Sequence, residues 1–284
     1  MHWLSQSFDL MGAEPVIPAT LVSYQDAGGW LSMADDERIR FIDRRSGDVI
    51  SLRADLTTQL LALSDAAQPS MVWAQGPVYR DSHAQSGARR EKYQATFEIL
   101  YDSADFAVRY SLLAACWLAS RALAEPWTLV LGHTAELEPL REQTGGYAAP
   151  SQAEWPTSWA AIAQGSEPEC LHWVLQAGLK VPTLRRNRTL PPARSYYQGW
   201  FFRIYAADSV EPVISGGQYR DPRAGDVLHA GFGVDVEQLA QQARVLPLHA
   251  GQSSAPRVLR RNAADLAHLC IQSWDQGIHT RLEA

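Results

Sequence analysis

Cysteine is scarce in this chain. Cys116, Cys170 and Cys270 are far apart and odd in number. No CxxC occurs and no His/Cys spacing suits zinc, so neither a disulfide framework nor a metal site is expected to organise the fold. Cys116 falls in an apolar helical run, where a buried thiol is the expected state. No apolar run reaches the ~20 residues needed to span a bilayer. The N-terminal MHWLSQSFDLMG has neither the basic nor the apolar region of a signal peptide. These absences predict a cytoplasmic protein without membrane contact. There is no GxGxxG and no Walker loop, so the common phosphate cradles are missing and no cofactor is expected. Positive charge is also short. Lys and Arg number 25 against 31 Asp and Glu, a net charge of −6. That argues against a nucleic-acid-binding body, which needs clustered cations. The basic runs Arg185–Arg188 and Arg257–Arg261 read as solvated faces or loops.

What is present is ordinary in bulk. The 284 residues are 46 % apolar and 20 % charged, enough for one large core. Residues 3–12 read as a short helix ending at Gly12, and EPVIPATLVSY as a short strand feeding a helix start near Pro18–Thr20. RIRFID and VISLRAD read as a β-hairpin, and Leu56–Leu63 as a helix. Residues 103–124 form the clearest amphipathic helix, with Ser103 or Asp105 near its N-cap. WTLVLG is a strand and 133–143 a helix; 144–190, rich in Pro, Gly, Ser and Ala, reads as a small helical insert. SYYQGWFFRIYA is a long aromatic strand, VEPVISGG another, and AGFGVDVEQLAQQA a Gly-rich turn opening a helix. The tail reads as strand, helix, strand. Strands and hairpins with helices between and after them predict an α+β fold, an antiparallel sheet flanked by helices.

Residues 76–100, GPVYRDSHAQSGARREKYQATFEIL, are the most informative stretch. Val78 and Tyr79 lead into Arg80, a polar loop carries Arg89 and Arg90, and the chain returns as a second strand. Period-two alternation puts Gln94, Thr96 and Glu98 on one face. Arginines at the mouth and an amide and a carboxylate on the floor suit a ligand with an anionic and a cationic end, such as an amino acid.

Five segments in order, VIPATL, SLRADLTTQ, VYRDSHAQSGARREKYQATFE, SYYQGWFFRIYA and SGGQYRD…GFGVDVEQL, resemble the core of histidyl-tRNA synthetase, a class II aminoacyl-tRNA synthetase. They resemble more closely its paralogue, the regulatory subunit of ATP phosphoribosyltransferase. The resemblance covers about residues 8–240 and implies a core over 1–243 and a short α/β remnant over 244–284. It implies a six-stranded antiparallel sheet and a homodimer through motif one, around Pro18. It also implies a histidine pocket. Asp55 and Thr57 fall on positions that hold the amino group, Gln94 and Glu98 on positions that meet the amino group and imidazole. Tyr197 and Tyr219 would line the imidazole, and Gly216 and Gly217 would let backbone approach the ligand.

The nucleotide positions depart from the synthetase. Arg80, on the α-phosphate position, and Arg90 remain as residual phosphate-binding residues. Ser82 stands where a glutamate contacts adenine, Ala88 where an arginine is expected, and Arg89 is adjacent. Pro192 stands on the catalytic arginine, with Arg194 nearby, and Gln238 on the arginine that stacks on adenine. Losing one charged donor costs on the order of 10²–10³ in rate. The resemblance therefore implies no catalytic residues and no tRNA partner. Three functions follow: a histidine-binding regulatory subunit acting with a short-form catalytic ATP phosphoribosyltransferase in the first step of histidine biosynthesis; a histidine–tRNA ligase, active or divergent; or a histidine-binding paralogue with another partner. Pro192, Gln238 and Ser82 separate the first from the second.

Overall fold

The computed structural model describes residues 2–23, 38–63, 70–81, 89–101, 103–135, 155–156, 169–187, 190, 196–221, 228–244, 256–261 and 264–283. Its centre is the hairpin of β5 (Ser70–Tyr79) and β6 (Glu91–Leu100), antiparallel over ten residue pairs from Ser70↔Leu100 to Tyr79↔Glu91. Next to β6 lie β12 (Leu228–Asp235), β11 (Ile214–Arg220), β10 (Tyr197–Tyr205) and β7 (Thr128–His133), all antiparallel to their neighbours. The six-stranded antiparallel sheet implied by the resemblance is thus the contiguous middle of the observed one. Three short strands extend it to nine: β1 (Glu14–Pro15), parallel to β5, then β9 (Thr183–Arg186), parallel to β7, and β8 (Trp155–Pro156). The sheet is mixed at its edges, and the fold is α+β.

Alternation decides which face each strand buries. On β6, Ala95, Phe97 and Ile99 enter the larger core, while Thr96 and Glu98 occupy the opposite face. The larger core lies under α1 (His2–Leu10) and α3 (Ala104–Ala122). Phe8 of α1 packs against Trp73, Phe97 and Phe232, and the Trp73 indole donates to Asp9 Oδ1 at 3.0 Å. Ser103 is the N-cap of α3, its hydroxyl accepting from the Phe106 amide at 3.3 Å. This helix reads as amphipathic in sequence but is buried nearly all round. Its non-sheet side is aromatic (Phe106, Tyr110, Trp117) and is covered by α4 (His172–Gln176), through Trp173, and α6 (Leu266–Asp275), through Trp274.

The other expectations divide on glycine, proline and length. The hairpin of β3 (Arg40–Ile42) and β4 (Val49–Leu52) is present and gains β2 (Leu21–Ser23) as a third strand. No helix begins near Pro18–Thr20, where the chain runs from β1 into β2. Thr183–Arg186, in the segment read as a helical insert, is a strand, and the Arg186 guanidinium lies 5.4 Å from the Trp200 ring centroid. His172–Gln176 in the same segment is a helix, as expected. Residues 144–154, 157–168 and 188–189 of the insert, and 136–143, lie outside the described residues. Leu228–Asp235 is a strand throughout, and α5 (Val236–Gln242) follows it. The three thiols are free and buried, and burial raises the pKa of each.

The C-terminal strand β13 (Arg257–Arg260), α6 and β14 (Thr280–Glu283) form a two-stranded parallel unit with its helix. Its apolar residues belong to the main core. Trp274 sits edge-on to Tyr110 at 5.8 Å and to Trp117 at 5.5 Å. Its indole donates to Thr280 Oγ1 at 3.2 Å, and Thr280 donates to Leu10 O at 3.0 Å. The Trp117 indole donates to Asp275 Oδ1 at 2.8 Å, and Tyr110 donates to Met11 O at 2.8 Å. Trp274→Ala should therefore cost about 3–5 kcal/mol and lower the midpoint of a single urea transition. An early separate transition confined to 256–283 would mean that this unit does not share the core.

Candidate functional site

A cavity of about 230 Å³ opens on the face of the sheet opposite α3. That is below the roughly 300–1,000 Å³ of drug-sized sites and suits a ligand of amino-acid size. Its floor is laid by side chains of one parity. Gln94 and Glu98 come from β6, Tyr219 from β11 and Tyr197 from β10. Its wall comes from the segment after β4, where Asp55 leads into α2 (Thr57–Leu63).

Glu98 and Tyr219 are the most deeply buried of these groups, each at 1 % exposure. Glu98 Oε1 accepts from Thr57 Oγ1 at 2.6 Å and Thr96 Oγ1 at 2.9 Å, and Glu98 Oε2 accepts from the Tyr219 hydroxyl at 2.7 Å. The Glu98 pKa is raised to about 7: desolvation by burial dominates and the nearby Asp55 charge adds to it, against the pull of the three hydroxyl donors. Tyr219 is held well above its ordinary value, first by burial and then by the Glu98 charge. Among the described residues the buried Glu98 carboxylate has only neutral hydroxyl partners and no counter-ion, and a cation delivered by a ligand would supply one.

The other predicted residues divide. Asp55 is buried at the rim, where its Oδ1 accepts from the Thr58 amide at 3.3 Å, so it also caps the start of α2. Gln94 Oε1 is buried in the lining with no hydrogen-bond partner among the described residues. Tyr197 stacks parallel to Phe201 at 6.5 Å and meets Tyr196 edge-on at 5.1 Å. A bulge sets this arrangement. Between the pairs Tyr197↔Tyr219 and Phe201↔Gly217, β10 carries two residues more than β11, with Gly199 at φ +93°. The Gln218 side chain holds the bulge through the Trp200 amide at 2.8 Å.

Gly216 and Gly217 do not border the cavity. A Cβ on Gly216 would overlap the Phe202 ring, and one on Gly217 would lie 2.7 Å from Phe201 Cβ, so both admit neighbouring aromatics rather than a ligand. The glycines that do border it are Gly231 and Gly233 in β12. Gly231 pairs with Glu98, and a Cβ there would overlap the carboxylate; one on Gly233 would lie 2.7 Å from Gln94 Nε2. Sequence reading missed both, because AGFG reads as a turn. Thr96 was placed on the right face but was not given a role.

Around the mouth, Arg80 lines the cavity and donates from Nε to Ala54 O at 3.1 Å. Arg90 is outside the lining and pairs with Asp81 at 3.2 Å. Arg89 pairs with Glu237 at 3.0 Å. Lys92, Glu211 and Asp235, none of them singled out in the sequence, line the outer cavity, with Lys92 Nζ 3.5 Å from Glu211 and 3.8 Å from Asp235. Gln238 lies in the first turn of α5, its amide capped by Asp235 Oδ1 at 3.0 Å. Ser82, Ala88, Pro192 and Arg194 lie outside the described residues. Among the described residues no cluster of His, Cys, Asp and Glu could hold a metal, and no helix is long and apolar enough to cross a membrane.

No curated protein matches the chain. Among solved structures it is similar to an ATP phosphoribosyltransferase regulatory subunit/histidyl-tRNA synthetase from Bacillus halodurans C, with a TM-score of 0.66 at 19 % identity over 99 % of this chain and 87 % of that one. It is similar to the ATP phosphoribosyl transferase (HisG:HisZ) complex from Thermotoga maritima, with a TM-score of 0.57 at 18 % identity over 82 % and 94 % of the two chains. The apo histidyl-tRNA synthetase of S. aureus gives a TM-score of 0.58 at 13 % identity over 100 % and 77 %. At these identities the likeness establishes a shared α+β fold of the class II synthetase kind. The family model described as histidyl-tRNA synthetase matches residues 1–154, more than half of the 284 and inclusive of the hairpin under the cavity. The chain belongs to the histidyl-tRNA synthetase family.

Proposed function

We propose that this chain is a non-catalytic member of its family, a cytoplasmic homodimer that binds free histidine and serves as regulatory subunit to a short-form catalytic ATP phosphoribosyltransferase. The observation that carries this reading is Glu98, a carboxylate with no counter-ion among the described residues, at the floor of a cavity of amino-acid size. Imidazolium supplies the missing charge there, and the unpartnered Gln94 Oε1 is an acceptor for an ammonium. The loss of catalysis rests on Gln238 and Pro192, which stand where the resemblance calls for arginine. The partner is the one whose name the Bacillus and Thermotoga proteins carry.

The raised pKa of Glu98 gives the site a pH signature. Free Glu98 loses its proton near pH 7, and imidazole near pH 6.5. The bound pair shares one proton. Below pH 6 both partners are protonated and one proton must leave; above pH 7.5 neither is, and one must be taken up. Calorimetric titration should therefore give a bell-shaped histidine affinity with its maximum near neutrality, falling up to about tenfold per pH unit on each side. Glu98→Gln should weaken binding roughly ten- to a hundredfold near pH 7, since a charge-assisted hydrogen bond contributes about 1.5–3 kcal/mol. The variant should also lose the alkaline limb. No binding by the wild type at millimolar histidine would overturn the ligand.

Two assays address the rest. Histidine-dependent ATP–pyrophosphate exchange should stay at the level of a no-protein blank; exchange well above it would make the chain a histidine–tRNA ligase. Mixed with a short-form catalytic subunit, the chain, a dimer alone by light scattering, should co-elute and raise phosphoribosyl transfer above that of the catalytic subunit. Separate elution without a rise would remove this partner.

A further inference from the structure

The outer part of the cavity carries charge that histidine recognition does not use. Among the described residues four carboxylates line the cavity, those of Asp55, Glu98, Glu211 and Asp235, against two cations, Arg80 and Lys92. The cations on the returning arm of the central hairpin are paired off in sequence. Arg89 meets Glu237 at 3.0 Å, Arg90 meets Asp81 at 3.2 Å, and Lys92 lies between Glu211 at 3.5 Å and Asp235 at 3.8 Å. The first two pairs are exposed and weak. The third differs, because it sits in the cavity lining and joins three elements: β6, the approach to β11 and the end of β12. The Asp235 side chain is held on both oxygens, Oδ1 capping α5 and Oδ2 facing Lys92, so its charge is fixed at the mouth.

We infer that Glu211 and Asp235 are specificity-determining residues that close this cavity to polyphosphates. A nucleotide reaching over a histidine-sized ligand would bring its phosphates to the mouth, where Lys92 is the lining cation on β6. Both carboxylates lie beside that cation in the cavity lining. They neutralise Lys92, and they add negative charge in a cleft whose low-dielectric walls focus the field. The cavity then admits a ligand with a cationic end and repels one carrying several negative charges. This rests on the proposed function only for the identity of the ligand at the floor; the charge argument holds for any occupant.

The test uses the whole chain, calorimetry at low ionic strength and inorganic pyrophosphate as the probe. The wild type should show no binding at millimolar pyrophosphate. The Glu211→Gln, Asp235→Asn double variant should bind it at least roughly tenfold tighter than the wild-type limit, within the range by which focused fields alter local ion concentration. Asn keeps the helix cap, so the variant should unfold at nearly the wild-type temperature. The gain should disappear when Lys92→Gln is added, and should shrink at 1 M salt, where screening acts within about 3 Å. Submillimolar pyrophosphate binding by the wild type overturns the inference, as does a double variant with no gain or a gain that survives Lys92→Gln. Histidine is titrated in parallel. If the wild type binds neither ligand and the double variant gains pyrophosphate, the exclusion stands and the histidine reading falls.

Discussion

Glu98 is buried almost completely, and a carboxylate in that position must be surrounded by donors or remain protonated. Its donors come from three places: Thr57 at the start of α2, Thr96 on its own strand and Tyr219 two strands away on β11. All three must be right at once. A one-residue slip of β6 would turn Glu98 into the aromatic core beside Phe8 and Phe232 and bring Phe97 into the cavity. The register of the central strands, the entry angle of α2 and the shape of the cavity are in this sense one constraint. The three hydroxyls only partly offset desolvation, so the group titrates near neutrality instead of near its ordinary value.

The strand beside Glu98 carries the other half of that constraint. β12 runs Ala230, Gly231, Phe232, Gly233, Val234, with the apolar residues in the core and the glycines toward the cavity. Glycine in a strand ordinarily weakens it. Here any side chain at Gly231 would overlap the carboxylate. The bulge at Gly199 works from the opposite side. It lets β10 carry two extra residues and still present Tyr197 and Phe201 on the same face, Tyr197 bordering the cavity and both packed with Tyr219, Leu56, Leu60 and Val78 in a second, smaller apolar cluster.

Much of this was legible in the sequence, for reasons particular to each element. The β5–β6 hairpin was readable because its alternation is strict: Gln94, Thr96 and Glu98 against Ala95, Phe97 and Ile99. The C-terminal strand–helix–strand order was readable from its short apolar runs, but its union with the main core was not, since it depends on Trp274 meeting Tyr110 and Trp117 from distant segments. The β12 glycines misled, because local propensity makes AGFG a turn and only the neighbouring carboxylate explains a strand. The resemblance picked out Gly216 and Gly217, which are adjacent; alternation allows only one of an adjacent pair to face the cavity, and Phe201 covers that one. Lys92, Glu211 and Asp235 were missed for a third reason. Each is an ordinary charge in its own segment, and their meeting is visible only once β6, the approach to β11 and the end of β12 are side by side.

Floor and mouth also differ in how tightly the fold holds them. Floor groups share hydrogen bonds and contacts with the core, so a change at Gly231, Thr96 or Tyr219 disturbs Glu98 and, through it, strand register. At the mouth, the Lys92 side chain is 37 % exposed and that of Glu211 is 61 %. Substitutions at such positions ordinarily move stability by less than about 0.5 kcal/mol. The two halves of the cavity are therefore free to change at different rates. A sheet that must keep its buried carboxylate satisfied retains a cavity of amino-acid size as a by-product of folding, while the charges at its mouth can be exchanged with little effect on the sheet. The pairing of Lys92 with two carboxylates, above an intact set of hydroxyls around Glu98, is the arrangement such unequal constraints permit.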